Sequence, residues 1–593
     1  MKNCSDLIID YLENIGVEYV FMLSGGGAMY LFDALQRSKI KHICCHHEQA
    51  AAVAAQSYTM ATGKLAVCLV TTGPGGTNAL TAVGASYVDS TPVLFLSGQV
   101  KRSDFASFRN VRQYGAQEND IVSMAKPVTK YAVTVTDEND VLYQLEKAIN
   151  VALDGRKGPV WLDVPLDIQS ATPKEMRQFA PEEKTTADEA STACEDIISS
   201  LKTAKRPLFL IGHGVYASNA ANEFRAFLQK LKVPVLCTWR ACGTLDYNDE
   251  LFFGSPGLQA PRYSNFILQS CDLLVVLGSR LDNMVTAFNE ENFASSATRK
   301  IIVDIDENEL KKLNMPDSVK YACNVKSVIK LLRDNADCFN VDYSEWISNC
   351  KSVKDKYNIL NEKQPVDNKA DLYKVASAVS ELCDKDDCIV VSSTSRCNTA
   401  GYMAFRHSEG QRIISSMGYG SMGFALPSVV GAYFGSNAKR VICFEGDGSL
   451  QLNIQELQTI KHYNIPMKLF VFSNDGYSAI STMQNRNFEG RRIGCDCESG
   501  VTFPDLSKIA RAYGFDFRRI NNDCEINSVV KDIMVDNKAV ICEIVGSIDF
   551  DEIPKAISFL NAENKRVSAA LENLYPFLPQ EEINDVIKKL KGE

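Results

Sequence analysis

The run RVICFEGDGSLQLNIQELQTIKHYNIPMKLFVFSNDGYSAI (440–480) gathers the residue types best suited to chemistry. An apolar strand over 441–445 enters Gly446-Asp447-Gly448-Ser449. The pattern then predicts a helix over about 453–463, a break at Pro466, and a second strand over 468–473 that ends at Asn474-Asp475-Gly476. A βαβ unit of this length has parallel strands and a right-handed crossover. Asp447 and Asn474 therefore leave the sheet at one carboxyl edge, where open α/β folds bind ligands. Asp447 supplies a carboxylate oxygen, Asn474 an amide oxygen, and Gly476 a backbone carbonyl. Three hard oxygen donors suit an octahedral Mg²⁺ that shares its other positions with diphosphate oxygens and water. Gly446 and Gly448 allow close approach of backbone to phosphate. The helix N-terminus beyond Ser449 adds N–H groups and a positive dipole. G-D-G-S alone also fits a surface turn; the matched Asn474 sets this one apart.

Parallel sheets must position these residues. Short apolar runs recur between helical patterns, as at 65–72, 92–98, 206–212, 272–279, 299–306, 387–393, 440–446 and 467–474. Continuous apolar strands of this kind are buried on both faces. The fold class is thus α/β, with three doubly wound parallel-sheet domains. Two polar stretches, 173–192 and 344–371, read as interdomain connections, the second helical at its start. The domains are then 1–175, 190–340 and 370–545, followed by a C-terminal extension, 546–593.

The G-D-G-S and N-D-G-Y runs resemble the cofactor motif of thiamine-diphosphate (ThDP) enzymes that handle 2-oxo acids. Other segments match the same family: HHEQAAAVAAQSYTMATGK (46–64), LVTTGPGGTNAL (69–80), DSTPVLFLSGQV (89–100), KGPVWLDVPLDI (157–168) and SSMGYGSMGFALPSVVGA (415–432). Together they most resemble acetolactate synthase. The resemblance implies a pyrimidine-binding first domain, a Rossmann-like middle domain and a third domain that binds diphosphate and Mg²⁺. It implies that Glu48 hydrogen-bonds the cofactor's pyrimidine and promotes the tautomer that takes the thiazolium proton. Gly418, Gly420 and Met422 would form the turn beneath the cofactor's bend. Gly446, Asp447, Gly448, Ser449, Asn474, Gly476 and Tyr477 would contact its diphosphate end. Gln117 would lie near the reacting carbon. The family's active unit is a homodimer or homotetramer in which Glu48 of one chain faces Asp447 of another. The small-residue helices at 77–88 and 421–434 suit either such an interface or packing within a domain.

The implied reaction removes CO₂ from a 2-oxo acid donor, such as pyruvate, and joins the acyl unit to an acceptor carbonyl. Four positions depart from the family's pattern: Ala116, Leu166, Met284 and Met483 stand where it has an aromatic residue, a lysine, an arginine and a tryptophan. SSTSRCN (392–398) replaces the family's G-Q-H run. Loss of an arginine that clamps a carboxylate argues against a simple 2-oxo acid as acceptor. In the middle domain, 211–215, 278–280 and Asp304-Ile305-Asp306 fit both the family's FAD surface and ordinary Rossmann turns. Three alternatives stay open: a simple decarboxylase or lyase, a pyruvate-oxidase-like flavin oxidoreductase, and a cofactor-binding but inactive regulator.

Bulk composition narrows the classes. The chain has 593 residues, a formal charge of −10 and no long basic run, which opposes binding to nucleic acid. No run of about 18 apolar residues suggests a membrane partner. The amphipathic start, MKNCSDLIIDYLENIG, does not resemble a secretory signal. Nineteen scattered cysteines without paired C-x-x-C spacing fit reduced thiols in the cytoplasm.

Overall fold

Three parallel sheets follow one another along the chain. The computed structural model describes residues 2–181, 189–338, 341–560, 564 and 566–593. In the first sheet the spatial order is Lys41–Cys44, Tyr19–Met22, Ala66–Val70, Val93–Gln99, Val160–Pro165 and Tyr131–Thr134. In the third it is Ile413–Ile414, Cys388–Val391, Val441–Gly446, Met467–Ser473, Val540–Val545 and Asp516–Ile520. Both sheets therefore run 2-1-3-4-6-5 in their own strand order. The middle sheet has five strands, in the order Ser318–Ala322, Arg299–Asp304, Leu273–Leu277, Pro207–Ile211 and Val235–Cys237. Helices cover the sheets, so central strands such as Val93–Gln99 and Ala66–Val70 are buried throughout. The class is α/β, as the apolar runs imply.

Two elements differ from the sequence expectation. The helix after the second glycine turn begins at Asp447 itself, as Asp447–Leu450, passes through a 3₁₀ turn at Gln451–Asn453, and resumes as Glu456–His462. The N-cap Gly446, with Gly448 and Ser449 in the first turn, hides this start from a reading based on apolar periodicity. The polar stretch at 344–371 is no mere connection. Its helix Ser344–Lys356 buries Trp346, Cys350 and Val353. These residues share an apolar cluster with Phe266 of the helix Arg262–Ser270 and Ile583, Val586 and Leu590 of the helix Gln580–Lys591. Of the other polar stretch, 182–188 lies outside the described residues.

The C-terminal segment thus returns from the third sheet to the middle domain. Tyr357 Oη donates to Glu582 Oε1 at 2.6 Å, and Lys356 pairs with the same oxygen at 3.0 Å. The buried Arg262 guanidinium donates to the carbonyls of Leu574 and Pro576 and pairs with Glu362.

The first and third domains meet through two helices, Glu48–Thr62 and Ala425–Ser436. A Cβ on Gly431 would lie 2.0 Å from the Ala54 carbonyl oxygen, so the backbones touch. Ser57 Oγ donates to Ser428 Oγ at 2.7 Å across the crossing. Gly84, on the helix Pro74–Val88, receives the Tyr419 ring of the third domain. The small residues of these helices thus serve contacts between domains of one chain.

Candidate functional site

Strand register brings Asp447 and Asn474 together. Gly446 lies opposite Phe472 in the parallel pair Val441–Gly446 and Met467–Ser473, so both chains leave the sheet side by side. Asp447 Oδ2 accepts hydrogen bonds from the Asn474 and Asp475 amides at 2.9 and 3.0 Å. Its Oδ1 accepts from the Gly448 amide at 2.8 Å. Burial pushes the carboxyl up to about 7, against the pull of those three N–H groups. A cation at the carboxylate would oppose that cost. The Asn474 side chain makes no hydrogen bond among the described residues, and its oxygen remains available as a donor to a metal.

The glycines of this turn have distinct reasons. A Cβ on Gly448 would lie 2.2 Å from the Tyr477 ring, which meets Phe503 edge-on. A Cβ on Gly446 would meet nothing within 4 Å. Its φ of −96° also demands no glycine. Internal packing therefore leaves Gly446 unexplained, whereas a phosphate lying against the backbone explains it. Gly476 bridges to Asp496, and the Tyr477 amide donates to the Cys495 carbonyl at 2.7 Å, so the 495–496 segment backs the turn.

Ser449 ties this turn to the one that carries Met422. Its Oγ accepts from the Gly423 amide at 2.9 Å, and Asn453 Nδ2 donates to the Gly423 carbonyl at 2.7 Å. Gly420 and Gly423 adopt φ of +68° and +76°, which favour glycine. Met422 is half-buried. Gly418 lies where the three domains meet, with Val88, Asp89 and Arg280 around its missing side chain.

Glu48 opens its helix and is 8 % exposed. Asn78 Nδ2 donates to Glu48 Oε2 at 3.0 Å. Among the described residues this is the carboxylate's one side-chain hydrogen bond, and it lies inside the first domain. His47 caps the helix by accepting the Gln49 amide, and the His46 amide donates to Glu456 Oε1 at 3.0 Å. Both histidines thus have structural partners. Sequence reasoning assigned no role to Asn78, although it ends the G-P-G-x-T-N run. It also missed Glu456, whose only sequence cue is its place on the helix after the metal turn.

Gln117 is exposed, with φ of +64°. Ala116, Met284 and Met483 are exposed and Leu166 is half-buried. A cavity of about 700 Å³ lies elsewhere, beside the Gly214 and Gly278 turns of the middle domain. It is lined by Arg156, Lys157, His213, Arg240, Arg280 and Met284, among others. Neither Glu48, Asp447 nor Asn474 lines it. Of the four departures, Met284 lines it and Ala116, Leu166 and Met483 do not. They sit on three different domains. Burial and the nearby Arg240 and Arg412 push His213 well below its ordinary value.

Residues 2–124 match the family described as "Thiamine pyrophosphate enzyme, N-terminal TPP binding domain". Residues 194–332 match its central domain and 394–544 its C-terminal TPP binding domain. The acetolactate synthase isozyme 2 large subunit of Escherichia coli K12 is 30 % identical over 532 residues, covering 89 % of this chain and 92 % of that protein. The chain belongs to the acetolactate synthase-like family of ThDP enzymes. A probable acetolactate synthase large subunit of Methanococcus aeolicus is 30 % identical over 570 residues, covering 92 % of each chain. Acetolactate synthase 2 of tobacco is 30 % identical over 545 residues, covering 89 % of this chain and 80 % of its own. Within this ThDP-enzyme family, Glu48, Asn78 and Gln117 fall in the N-terminal match. The turns at 418–423, 446–449 and 474–477 fall in the C-terminal one. Among the described residues no group of three His, Cys, Asp or Glu side chains forms a metal cage. The oxygen donors that the sequence proposes at Asp447 would instead be one carboxylate, one amide and one backbone carbonyl. They suit Mg²⁺ held jointly with a diphosphate. Among the described residues no helix is long and apolar enough to cross a membrane.

Proposed function

We propose that this chain is a ThDP- and Mg²⁺-dependent carboligase that decarboxylates a 2-oxo acid and joins the acyl unit to an acceptor carbonyl. One observation carries the reading: the buried Asp447 carboxylate fastens both strand ends, beside the Asn474 amide and the vacant side of Gly446. Asp447, Asn474 and the Gly476 carbonyl would hold Mg²⁺, and the Gly446–Ser449 backbone would hold the diphosphate. Bound there, ThDP supplies a carbon nucleophile that adds to a ketone and stores the electron pair left when CO₂ departs.

The protein's part is to bind, orient and manage protons. Glu48 holds a proton at the pyrimidine end, and Asn78 fixes the carboxylate's orientation. Ser449 and Asn453 fix the Met422 turn against the metal turn. The Met422 side chain would then lie beneath the bound cofactor and orient it. Gln117 acts at the reacting carbon from the 115–119 loop. Among the described residues Glu48 has one side-chain hydrogen-bond partner, within its own domain, which favours a homodimer or homotetramer whose sites are completed across chains.

Ala116, Leu166, Met284 and Met483 favour an acceptor other than a simple 2-oxo acid. The experiment is to incubate the Mg²⁺/ThDP enzyme with pyruvate and a panel of aldehydes, 2-oxo acids and keto-sugars, and to identify products by mass. Ligation products should appear with CO₂. Robust acetolactate formation from pyruvate alone would overturn the acceptor reading. Absence of CO₂ release from any 2-oxo acid would overturn the enzyme reading.

A second reading concerns flavin. Gly212, Gly214 and Gly278 are explained by their own turns touching, since a Cβ on Gly212 would lie 2.3 Å from the Gly278 carbonyl oxygen. The cavity beside them is of ligand size, and it is lined by Arg156, Lys157, Arg240 and Arg280 as well as Asp89, Asp282, Asp304 and Glu309, a mixed set that offers partners to both the phosphates and the hydroxyls of a dinucleotide such as FAD. A visible flavin spectrum in the purified protein would support this reading, and its absence after reconstitution with FAD would overturn it. Reduction of an electron acceptor during pyruvate turnover would assign an oxidase-like role.

A further inference from the structure

Three neighbouring strands of the first sheet end in a buried polar cluster that cofactor binding leaves unused. Val160–Pro165 lies between Val93–Gln99 and Tyr131–Thr134, and the register sets Asp163 opposite Ser97 on one side and Thr134 on the other. Asp163 is 1 % exposed. Ser97 Oγ donates to its Oδ1 at 2.6 Å. Thr134 Oγ1 and Gln99 Nε2 donate to its Oδ2 at 3.1 and 3.2 Å. Trp161 Nε1 donates to Ser97 Oγ at 2.9 Å, and the indole stacks on Phe95 below. A carboxylate so deep in a sheet is costly even when fully hydrogen-bonded. An apolar residue would serve packing better.

Gln99 links this carboxylate to the loop above it. Its Oε1 accepts the Val100 amide at 3.0 Å, which fixes the carboxamide's orientation. Its Nε2 then has two acceptors, Asp163 and the Asn119 carbonyl at 2.9 Å. Asn119 Nδ2 in turn donates to the Gly73 carbonyl at 3.3 Å. Gly73 has φ of +66°, and a Cβ there would lie 2.2 Å from the Gln117 carbonyl oxygen. Glu118 folds the rest of the loop by accepting the Ala106, Tyr114 and Gly115 amides at 2.5, 3.0 and 3.1 Å. Gln117 thus stands between a self-folded segment and a two-point attachment to the sheet.

We propose that Asp163 and Gln99 are positioning residues for Gln117, acting through the Asn119 carbonyl. This rests on the reading of Gln117 as a residue near the reacting carbon. Gln99, Ser97 and Thr134 all donate to the Asp163 carboxyl oxygens. An asparagine there would set an NH₂ against the Gln99 NH₂, turn Gln99 aside and release Asn119.

Four variants test this: Gln99→Met, Asp163→Asn, Gln117→Ala, and Gln117→Ala combined with Gln99→Met. Each is measured for kcat and KM of CO₂ release, ThDP affinity, melting temperature, and amide exchange across 112–120. Gln99→Met and Asp163→Asn should each lower kcat about tenfold, the scale of a misplaced catalytic group. Donor KM and ThDP affinity should stay within about twofold, and exchange in the loop should quicken. In the Gln117→Ala background, adding Gln99→Met should cost less than about twofold, because coupled residues do not act additively. Losses that multiply, or unchanged exchange in both anchor variants, would overturn the anchoring. Wild-type kcat in Gln117→Ala would instead overturn the reading of Gln117. The exchange data would then still decide whether Gln99 holds the loop.

Discussion

The Asn78 carboxamide donates to Glu48 Oε2 at 3.0 Å, joining the N-terminal ends of two consecutive helices at the carboxyl edge of the first sheet. The bond leaves Glu48 one oxygen for a ligand and fixes which oxygen that is.

Glu48→Gln should therefore lower turnover by ~10²–10⁴-fold, the usual loss for a general acid–base group. ThDP affinity should stay close to wild type, because Glu48 makes no hydrogen bond to the metal turn among the described residues. Asn78→Ala should show a smaller loss in the same direction. Steady-state CO₂ release and ThDP titration by protein fluorescence measure both. Near-native rates in Glu48→Gln would remove it from the mechanism.

Gly446→Ala and Gly448→Ala separate ligand approach from internal packing. The first adds a methyl that meets nothing within 4 Å, so the melting temperature should hold while ThDP affinity falls. The second drives a methyl into Tyr477 and should destabilise by about 1–3 kcal/mol. Asp447→Ala and Asn474→Ala should weaken ThDP binding as well as slow turnover. Unchanged ThDP affinity in Gly446→Ala, Asp447→Ala and Asn474→Ala alike would place the diphosphate elsewhere.

The Asp163 carboxyl gives a pH signature. Burial pushes it up to about 7, outweighing hydrogen bonds from Ser97, Gln99 and Thr134, with Asp120 adding to the rise. The unfolded chain releases this proton near 4. Between those values the folded state binds more protons, so this group's stabilising contribution is complete below about 4 and is lost as pH rises through about 7. Relative to wild type, Asp163→Asn should thus gain stability from pH 5 to pH 8. Urea midpoints for both proteins across that range decide it; a pH-independent difference sinks the assignment.

A mixing experiment addresses the shared site. Inactive Glu48→Gln and Asp447→Ala chains, dissociated and recombined, should recover about one quarter of wild-type activity. Heterodimers form half the population and hold one intact site of two. Verified heterodimers without activity would put both residues in a site built by a single chain.

The α/β class was legible because buried parallel strands such as Val93–Gln99 are continuous apolar runs. The pairing of Asp447 with Asn474 was legible because one βαβ unit fixes it. Asp163 was not, since its partners lie 66 and 29 residues away and meet it only through strand register. Nor was the packing of Ser344–Lys356, whose polar composition conceals three buried residues that face a helix more than 220 residues on. Asn78 stood inside a recognised run, but nothing local pointed it at Glu48.

The clasp between Tyr357 and Glu582 has a consequence for how the molecule comes apart. The chain leaves the middle domain beside one helix of that clasp, builds the whole third domain, and returns beside the other. The third domain is therefore a guest threaded into its neighbour, anchored at both of its ends. One protease cut in a loop of that guest leaves each half still tethered to the host, so a nicked chain should keep its shape and its cofactor site. Release requires a second cut, or loss of the helix Gln580–Lys591.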